Sequence, residues 1–508
     1  MTRPETLPEQ RLVGSRLALR AAFFAAAGAA LLIVAAANAA GYRYGVSDQE
    51  FYIPVVYLEL DPALFPHDRP MFDAQDALFL AFDDVAAAVV RATGLSLPVL
   101  FLAGYAVALL SIFGGAWLIG RRWYASPWTA AALVAALTLR HQVPGTGVNT
   151  FEGYFQPRTL AFGLGLLAVA AFLRSRTWVM LLLTGGAALA HPTTAVWFAM
   201  WLGAAALVAR RRSRLVAAGL AVCGLAAAML LAWLVVQRGV EPMSDEWIAG
   251  ASRRYLFFSR WPAWTWIAHA AVIGIAVFAY RRRGAAGLVT ATERGIFIGA
   301  FALLAFFLAV IPFVEARIPL AVQLQAGRIL WVWDVLATVY AIWLLAERPG
   351  VPSLARPRIV FAVLAVIACA RGAYIMGWEF PDRPLVRMHL PGGEWGRVMA
   401  WASTTPIDSN FLAHPEHAWQ YGVSVRIGAR RDVFLEASKD PALAMYSEES
   451  AERVAARQRE LGDFNQLDAA RAAALARRYD LDYVITERTM DLPLVRRFGR
   501  FNVYRLQR

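Results

Sequence analysis

The sequence predicts a polytopic α-helical membrane protein of about 11 transmembrane helices with a small C-terminal α/β domain. Three observations lead there. Of 508 residues, 59% are apolar and only 17% are charged, a membrane composition rather than that of a soluble enzyme. Apolar runs of membrane-crossing length recur through residues 1–379, and from 380–508 the pattern changes to short strands and polar helices.

The formal charge is +13, but most arginines sit in short clusters between apolar runs, where they set orientation; no nucleic-acid partner is implied. Cys223 and Cys369 both lie inside apolar runs and build neither a disulfide framework nor a thiolate metal site. Lysine occurs once, at Lys439, amid abundant arginine and alanine, a usage that fits a GC-rich bacterial genome.

About 20 apolar residues cross a hydrocarbon core of about 30 Å. Eleven runs qualify, at 18–39, 97–119, 126–140, 158–173, 177–190, 192–209, 215–236, 262–280, 294–314, 324–346 and 357–379. Those at 126–140 and 177–190 are short, which leaves the count open. Arginines cluster from Arg11 to Arg20, at Arg121 and Arg122, at Arg174 and Arg176, from Arg210 to Arg214, from Arg281 to Arg283, and at Arg356 and Arg358, between alternate pairs of spans. The positive-inside rule then places the N-terminus in the cytoplasm of a bacterial inner membrane. Residues 41–96, 141–157, 237–261 and everything after 380 fall on the outer side. The basic start, the apolar run and Ala-Asn-Ala at 37–39 also resemble a signal peptide, but the run is a full span long and reads as retained.

The first outer loop, 41–96, opens with Ser47-Asp48-Gln49-Glu50-Phe51-Tyr52. A carboxylate so close to a membrane exit is suited to accept a proton from an attacking hydroxyl, or to hold a divalent cation against a leaving phosphate. The alternative is that Asp48 and Glu50 merely cap an interfacial helix near its positive end. His67 and Asp68 are candidates for substrate contact, against an ordinary turn between two prolines. The second outer loop carries more hydrogen-bonding groups than a connector needs, with His141, Glu152, Gln156 and Arg158 as binding candidates. His191-Pro192 makes a tight hairpin, read as a helix start or a site. Arg253 and Arg254 stand among aromatics, a combination suited to lipid phosphates or to plain anchoring.

Gln325-Ala-Gly-Arg328 opens a late span that also contains Asp334. Charge inside a bilayer costs at least about 2.5 to 3.5 kcal/mol and usually serves a cavity. Six residues correspond to about 9 Å of rise and roughly 120° of rotation, so Arg328 and Asp334 cannot pair along one face. Arg328 is therefore the first candidate for a phosphate contact, with snorkelling as the alternative. In the C-terminal domain, residues near 411, 432, 483 and 501 read as strands, and 393–402 and 447–478 as helices. His414 and His417 read as a surface loop.

The acidic start of the first loop, the His191-Pro192 hairpin and the Gln325–Arg328 segment together resemble the GT-C superfamily of membrane glycosyltransferases. The resemblance covers the whole chain in architecture. It implies a polyprenyl-phosphate-linked sugar as donor, a lipid, glycan or protein acceptor, inverting transfer in the outer leaflet, and Asp48 as base or as a ligand of Mg2+ or Mn2+. Glu50 competes for that role. Many members carry adjacent acids, whereas Gln49 separates them here, which leaves open which acid is catalytic and whether metal is used. Two rivals stand beside the enzyme: a transporter or flippase of a lipid-linked glycan, and a non-catalytic subunit of an envelope-glycan assembly complex.

Overall fold

The computed structural model describes residues 7–76, 81–209, 241–251, 255–347 and 355–507. Among the described residues, seven helices are long and apolar enough to cross a membrane: Ala21–Asn38, Leu97–Trp123, Pro192–Ala209, Ala263–Ala285, Ala291–Glu315, Pro319–Ala346 and Ala355–Glu379. Three expected spans form shorter apolar helices, Pro127–Leu137, Pro157–Leu173 and Thr177–Ala190. At about 1.5 Å per residue none of these three reaches 30 Å alone. The expected span at 215–236 lies outside the described residues, as do Arg253 and Arg254. The protein is a helical membrane protein with a small sheet near its C-terminal end.

Local chemistry starts the helices. Ser126 accepts from the Trp128 N–H ahead of a helix that opens with Pro127, and Thr290 accepts from the Glu293 N–H. Close packing follows from small residues. A Cβ at Gly295 would lie 2.5 Å from the Ala205 carbonyl oxygen, and one at Gly299 would lie 2.6 Å from that of Trp201. This four-residue glycine spacing lets Ala291–Glu315 lie directly on the backbone of Pro192–Ala209. Arg283, expected only as one of an orienting cluster, is buried and pairs with Glu293 at 2.7 Å.

One helix is interrupted. Pro319–Gln323 ends, Gln325 takes a left-handed backbone (φ +48°), Ala326–Ile329 winds as a 3-10 turn, and Leu330–Ala346 resumes as α-helix. A left-handed non-glycine residue costs on the order of 1 kcal/mol and persists only where its surroundings enforce it.

After the last membrane helix a five-stranded sheet forms in the order Asp432–Val433, Asn410–Leu412, Tyr483–Thr486, Phe501–Arg505, Leu494–Phe498. The first three strands are parallel and the last two antiparallel. Tyr483–Thr486 is buried throughout, as a central strand requires. Leu494–Phe498 is exposed except at its end, and its arginines occupy the sheet edge. Helix Gly393–Ala402 packs on strands Leu494–Phe498 and Phe501–Arg505, Glu448–Leu461 packs against Asp245–Ala251 and Asp440–Ala444, and Asn410 Nδ2 donates to the Tyr479 carbonyl at the end of Ala469–Tyr479 at 3.2 Å.

The loops that leave one end of the bundle converge on this region. Tyr42–Arg43 pairs in parallel with Val386–Arg387. Asp68 is buried and meets Arg426 at 2.9 Å, Arg453 at 3.3 Å and Arg457 at 3.7 Å. Arg426 in turn meets Asp440 at 2.5 Å and Glu436 at 3.3 Å. The backbone N–H groups of His67 and Asp68 both donate to the Asp432 carboxylate. Burial alone would push Asp68 up, but Arg426, Arg457 and Arg453 hold it below the usual carboxylate range. Burial and the nearby Asp68 push Asp432 up to about 8. His67 and Asp68, expected at a substrate, instead clasp the first loop to the C-terminal region.

Candidate functional site: a cation-lined cavity around Asp48

A cavity of about 240 Å³ opens where the converging loops meet the bundle. Asp48 enters it from the first loop, Gln156 and Arg158 from the start of Pro157–Leu173, His191 from the hairpin between two helices, and Gln325 and Arg328 from the interrupted helix. Six candidates scattered over 280 positions of sequence thus share one space, counting from Asp48 to Arg328 (328 − 48).

Backbone geometry aims Asp48. Ser47 is left-handed (φ +56°), and although Asp48 precedes helix Gln49–Leu60 its side chain makes no capping bond. Glu50 turns back on the loop ahead of the helix, its Oε1 accepting the Ser47 N–H at 3.0 Å. The Asp48 carboxylate is left to the cavity, where Oδ1 accepts from Lys439 Nζ at 2.5 Å and Oδ2 accepts from Gln156 Nε2. Arg158 Nη2 donates to Gln156 Oε1 at 2.9 Å, which extends the chain from Asp48 to a guanidinium. Burial would raise the Asp48 carboxyl, but Lys439 first and Arg158 next hold it well below the ordinary range.

The cations are unequal. Lys439 is neutralised by Asp48. Arg158 and Arg328 form no ion pair among the described residues, and the Nε of each is buried without a hydrogen-bond partner. Such groups are costly to leave unmet, and guanidinium geometry matches the oxygens of a phosphate or carboxylate. His191 Nδ1 accepts from the Thr194 N–H at 3.2 Å, which assigns the proton to Nε2 and makes that nitrogen a donor. Gln325 Nε2 donates to Tyr446 Oη at 2.9 Å.

Five candidates stand elsewhere. Glu50 faces Ser438, whose Oγ donates to its Oε2 at 3.0 Å, and burial followed by the nearby Glu436 pushes Glu50 up to about 7. His141 Nε2 meets Asp334 at 2.9 Å, so the intramembrane acid is paired with a loop histidine rather than with Arg328. Burial opposes charge on His141, but its bond to Asp334 outweighs that and raises its pKa above the usual histidine value. Glu152 pairs with Arg140 at 3.1 Å and accepts from Asn149. His67 and Asp68 complete the clasp described above.

Sequence reasoning missed the fourth wall. Ser438, Lys439, Met445 and Tyr446 come from the C-terminal region. The one available signal was that Lys439 is the sole lysine in a chain rich in arginine.

The donor set around Asp48 is a poor match for Mg2+ or Mn2+. Among the described residues Asp48 is the only carboxylate lining the cavity, and both its oxygens are held by Lys439 and Gln156. Among the described residues no group of three His, Cys, Asp or Glu side chains is arranged to hold a metal. One engaged carboxylate among Arg158, Arg328 and Lys439 does not fit a divalent cation, which takes several oxygen ligands.

Fold and site together define a helical membrane protein with an anion-complementary cavity at one end of its bundle. The chain matches no known family model and none of the curated proteins.

Proposed function

We propose that this protein is a glycosyltransferase that moves a sugar from a polyprenyl-phosphate-linked donor to a lipid, glycan or protein acceptor. In this reading it works at the outer face of a bacterial inner membrane, with the C-terminal region outside and the N-terminus in the cytoplasm. The observation that carries the reading is the juxtaposition of one carboxylate, Asp48, with two guanidiniums, Arg158 and Arg328, that form no ion pair among the described residues.

The acceptor hydroxyl attacks the anomeric carbon while Asp48 takes its proton. The bond from that carbon to the phosphate oxygen breaks, and the electron pair leaves with the phosphate. Arg158, Arg328 and the Nε2–H of His191 receive the charge where it develops. A single displacement inverts the anomeric centre. Lys439 resolves a conflict in this scheme. With Lys439 against it, Asp48 is too weak a base; a bound phosphate draws the ammonium toward itself and returns basicity to Asp48.

A second reading, a transporter or flippase of a lipid-linked glycan, is favoured by the break at Gln325–Arg328, since interrupted helices also form transport sites. Purified protein in lipid, given a panel of radiolabelled polyprenyl-phosphate sugars, separates the two. Sugar transfer by wild type that is lost in Asp48→Asn and Arg328→Ala supports the enzyme. Movement of the lipid-linked sugar across the bilayer without transfer overturns it in favour of transport.

A further inference from the structure

A second cationic cluster lies outside the cavity, where the first and last membrane helices leave the bundle. The two are joined at that end: Asn38 Nδ2 donates to the Ala368 carbonyl at 3.0 Å, and Arg371 donates to Asn38 Oδ1 at 2.8 Å. Just beyond, the pairing of Tyr42–Arg43 with Val386–Arg387 puts Arg43 directly opposite Arg387. In a parallel pair, residues in register point to the same side of the ribbon. Arg383 joins them, its guanidinium stacked on Phe380 at 3.8 Å.

Among the described residues Arg43, Arg383 and Arg387 form no ion pair, although Glu379 and Asp382 are close in sequence. The Nε atoms of Arg43 and Arg387 are buried without partners. Burial and then repulsion from Arg383 and Arg387 pull Arg43 down to about 10. Like charges crowded on a two-residue ribbon need a counter-ion to be worth assembling.

The surroundings say what kind. Helices Ala21–Asn38 and Ala355–Glu379 are each only 17% buried within the protein over their apolar windows. Phe23, Phe24, Ile33, Ile359 and Val366 are exposed along them. Such faces are covered by acyl chains. Tyr374 and Trp378 are exposed near the exit, the level at which aromatic rings mark the headgroup boundary. The arginines follow within a few residues.

We propose that Arg43, Arg383 and Arg387 form a binding site for the phosphodiester headgroup of an anionic phospholipid, whose chains run down the exposed faces of the first and last membrane helices. The site is separate from the Asp48 cavity and does not depend on the glycosyltransferase reading. Its role is to tie the start of the C-terminal region to the membrane surface at the point where the ribbon forms.

The test uses the full chain, delipidated in neutral detergent. The unfolding midpoint is followed while short-chain phosphatidylglycerol, phosphatidylcholine or inorganic phosphate is added. Wild type should show a saturable rise with phosphatidylglycerol at concentrations at least about tenfold below those needed for phosphatidylcholine. The combined Arg43→Gln, Arg383→Gln, Arg387→Gln variant should lose that preference, and the matching lysine variant should keep most of it. An equal response to the two lipids, or an undiminished preference in the glutamine variant, overturns the proposal. A rise with inorganic phosphate that matches phosphatidylglycerol overturns the lipid assignment in favour of a soluble anion. Should the glutamine variant not fold, native mass spectrometry of wild type decides: phosphatidylglycerol adducts must outlast phosphatidylcholine adducts, and equal retention overturns the site.

Discussion

Lys439 Nζ lies 2.5 Å from Asp48 Oδ1, an ion pair between residues 391 positions apart. It joins the first loop to the C-terminal region and sets the charge state of the candidate base. Removing the cation lets the Asp48 carboxyl rise. The base acts only when ionised, so activity falls as pH drops through its pKa. The acid limb of the pH–rate profile of Lys439→Ala should therefore move to higher pH, with kcat and donor affinity both reduced; an unmoved limb contradicts the pairing.

Arg158 and Arg328 stabilise a leaving phosphate in the proposed mechanism. Loss of one such preorganised donor typically costs on the order of a hundredfold or more in kcat. Arg328→Ala and Arg158→Ala should each show that loss in sugar transfer at unchanged thermal stability. If only KM rises, the arginines bind donor without favouring the transition state.

Asp68 is a structural prediction. Three arginines converge on it in a buried setting, and breaking such a pair from one side costs about 3 to 5 kcal/mol. Asp68→Ala should lower the unfolding midpoint and expose the region after residue 380 to limited proteolysis. Wild-type resistance would show that the clasp contributes little.

Glu50 supplies a pH dependence whose sign can be worked out. Its carboxyl stands at about 7 against an ordinary 4.5, because of burial and then Glu436. Between those values the folded state holds more protons than the unfolded state, so stability falls as pH rises through that window. Glu50→Gln removes the cost. The variant should match wild type near pH 4 and exceed it at pH 8 by on the order of 3 kcal/mol. Denaturant unfolding at both pH values measures the difference, and equal stability at pH 8 refutes the assignment.

Much of this was legible in the sequence. Span length located the seven long apolar helices, and short β-rich runs located four of the five strands. The fifth, Leu494–Phe498, escaped because an exposed edge strand need not be apolar. Asp48, Gln156, Arg158, His191, Gln325 and Arg328 stood out as polar groups at helix ends, which is where the cavity formed. His67 and Asp68 stood out for the same reason, yet their partners Asp432 and Arg426 lie more than 350 positions away and only tertiary folding reveals them. Lys439 was hidden because its own segment is unremarkable. The break at Gln325 was hidden because an apolar run reads as continuous helix whether or not the backbone turns within it.

In the proposed mechanism the Asp48 cavity receives the phosphate of a lipid-linked sugar and Lys439 turns to meet it. As the sole lysine, Lys439 can be followed by amine-specific labelling and peptide mass spectrometry without interference from other lysines. Saturating polyprenyl phosphate should slow labelling of Lys439 several-fold in wild type and not in Arg328→Ala. Labelling of wild-type Lys439 that polyprenyl phosphate leaves unchanged would contradict the account.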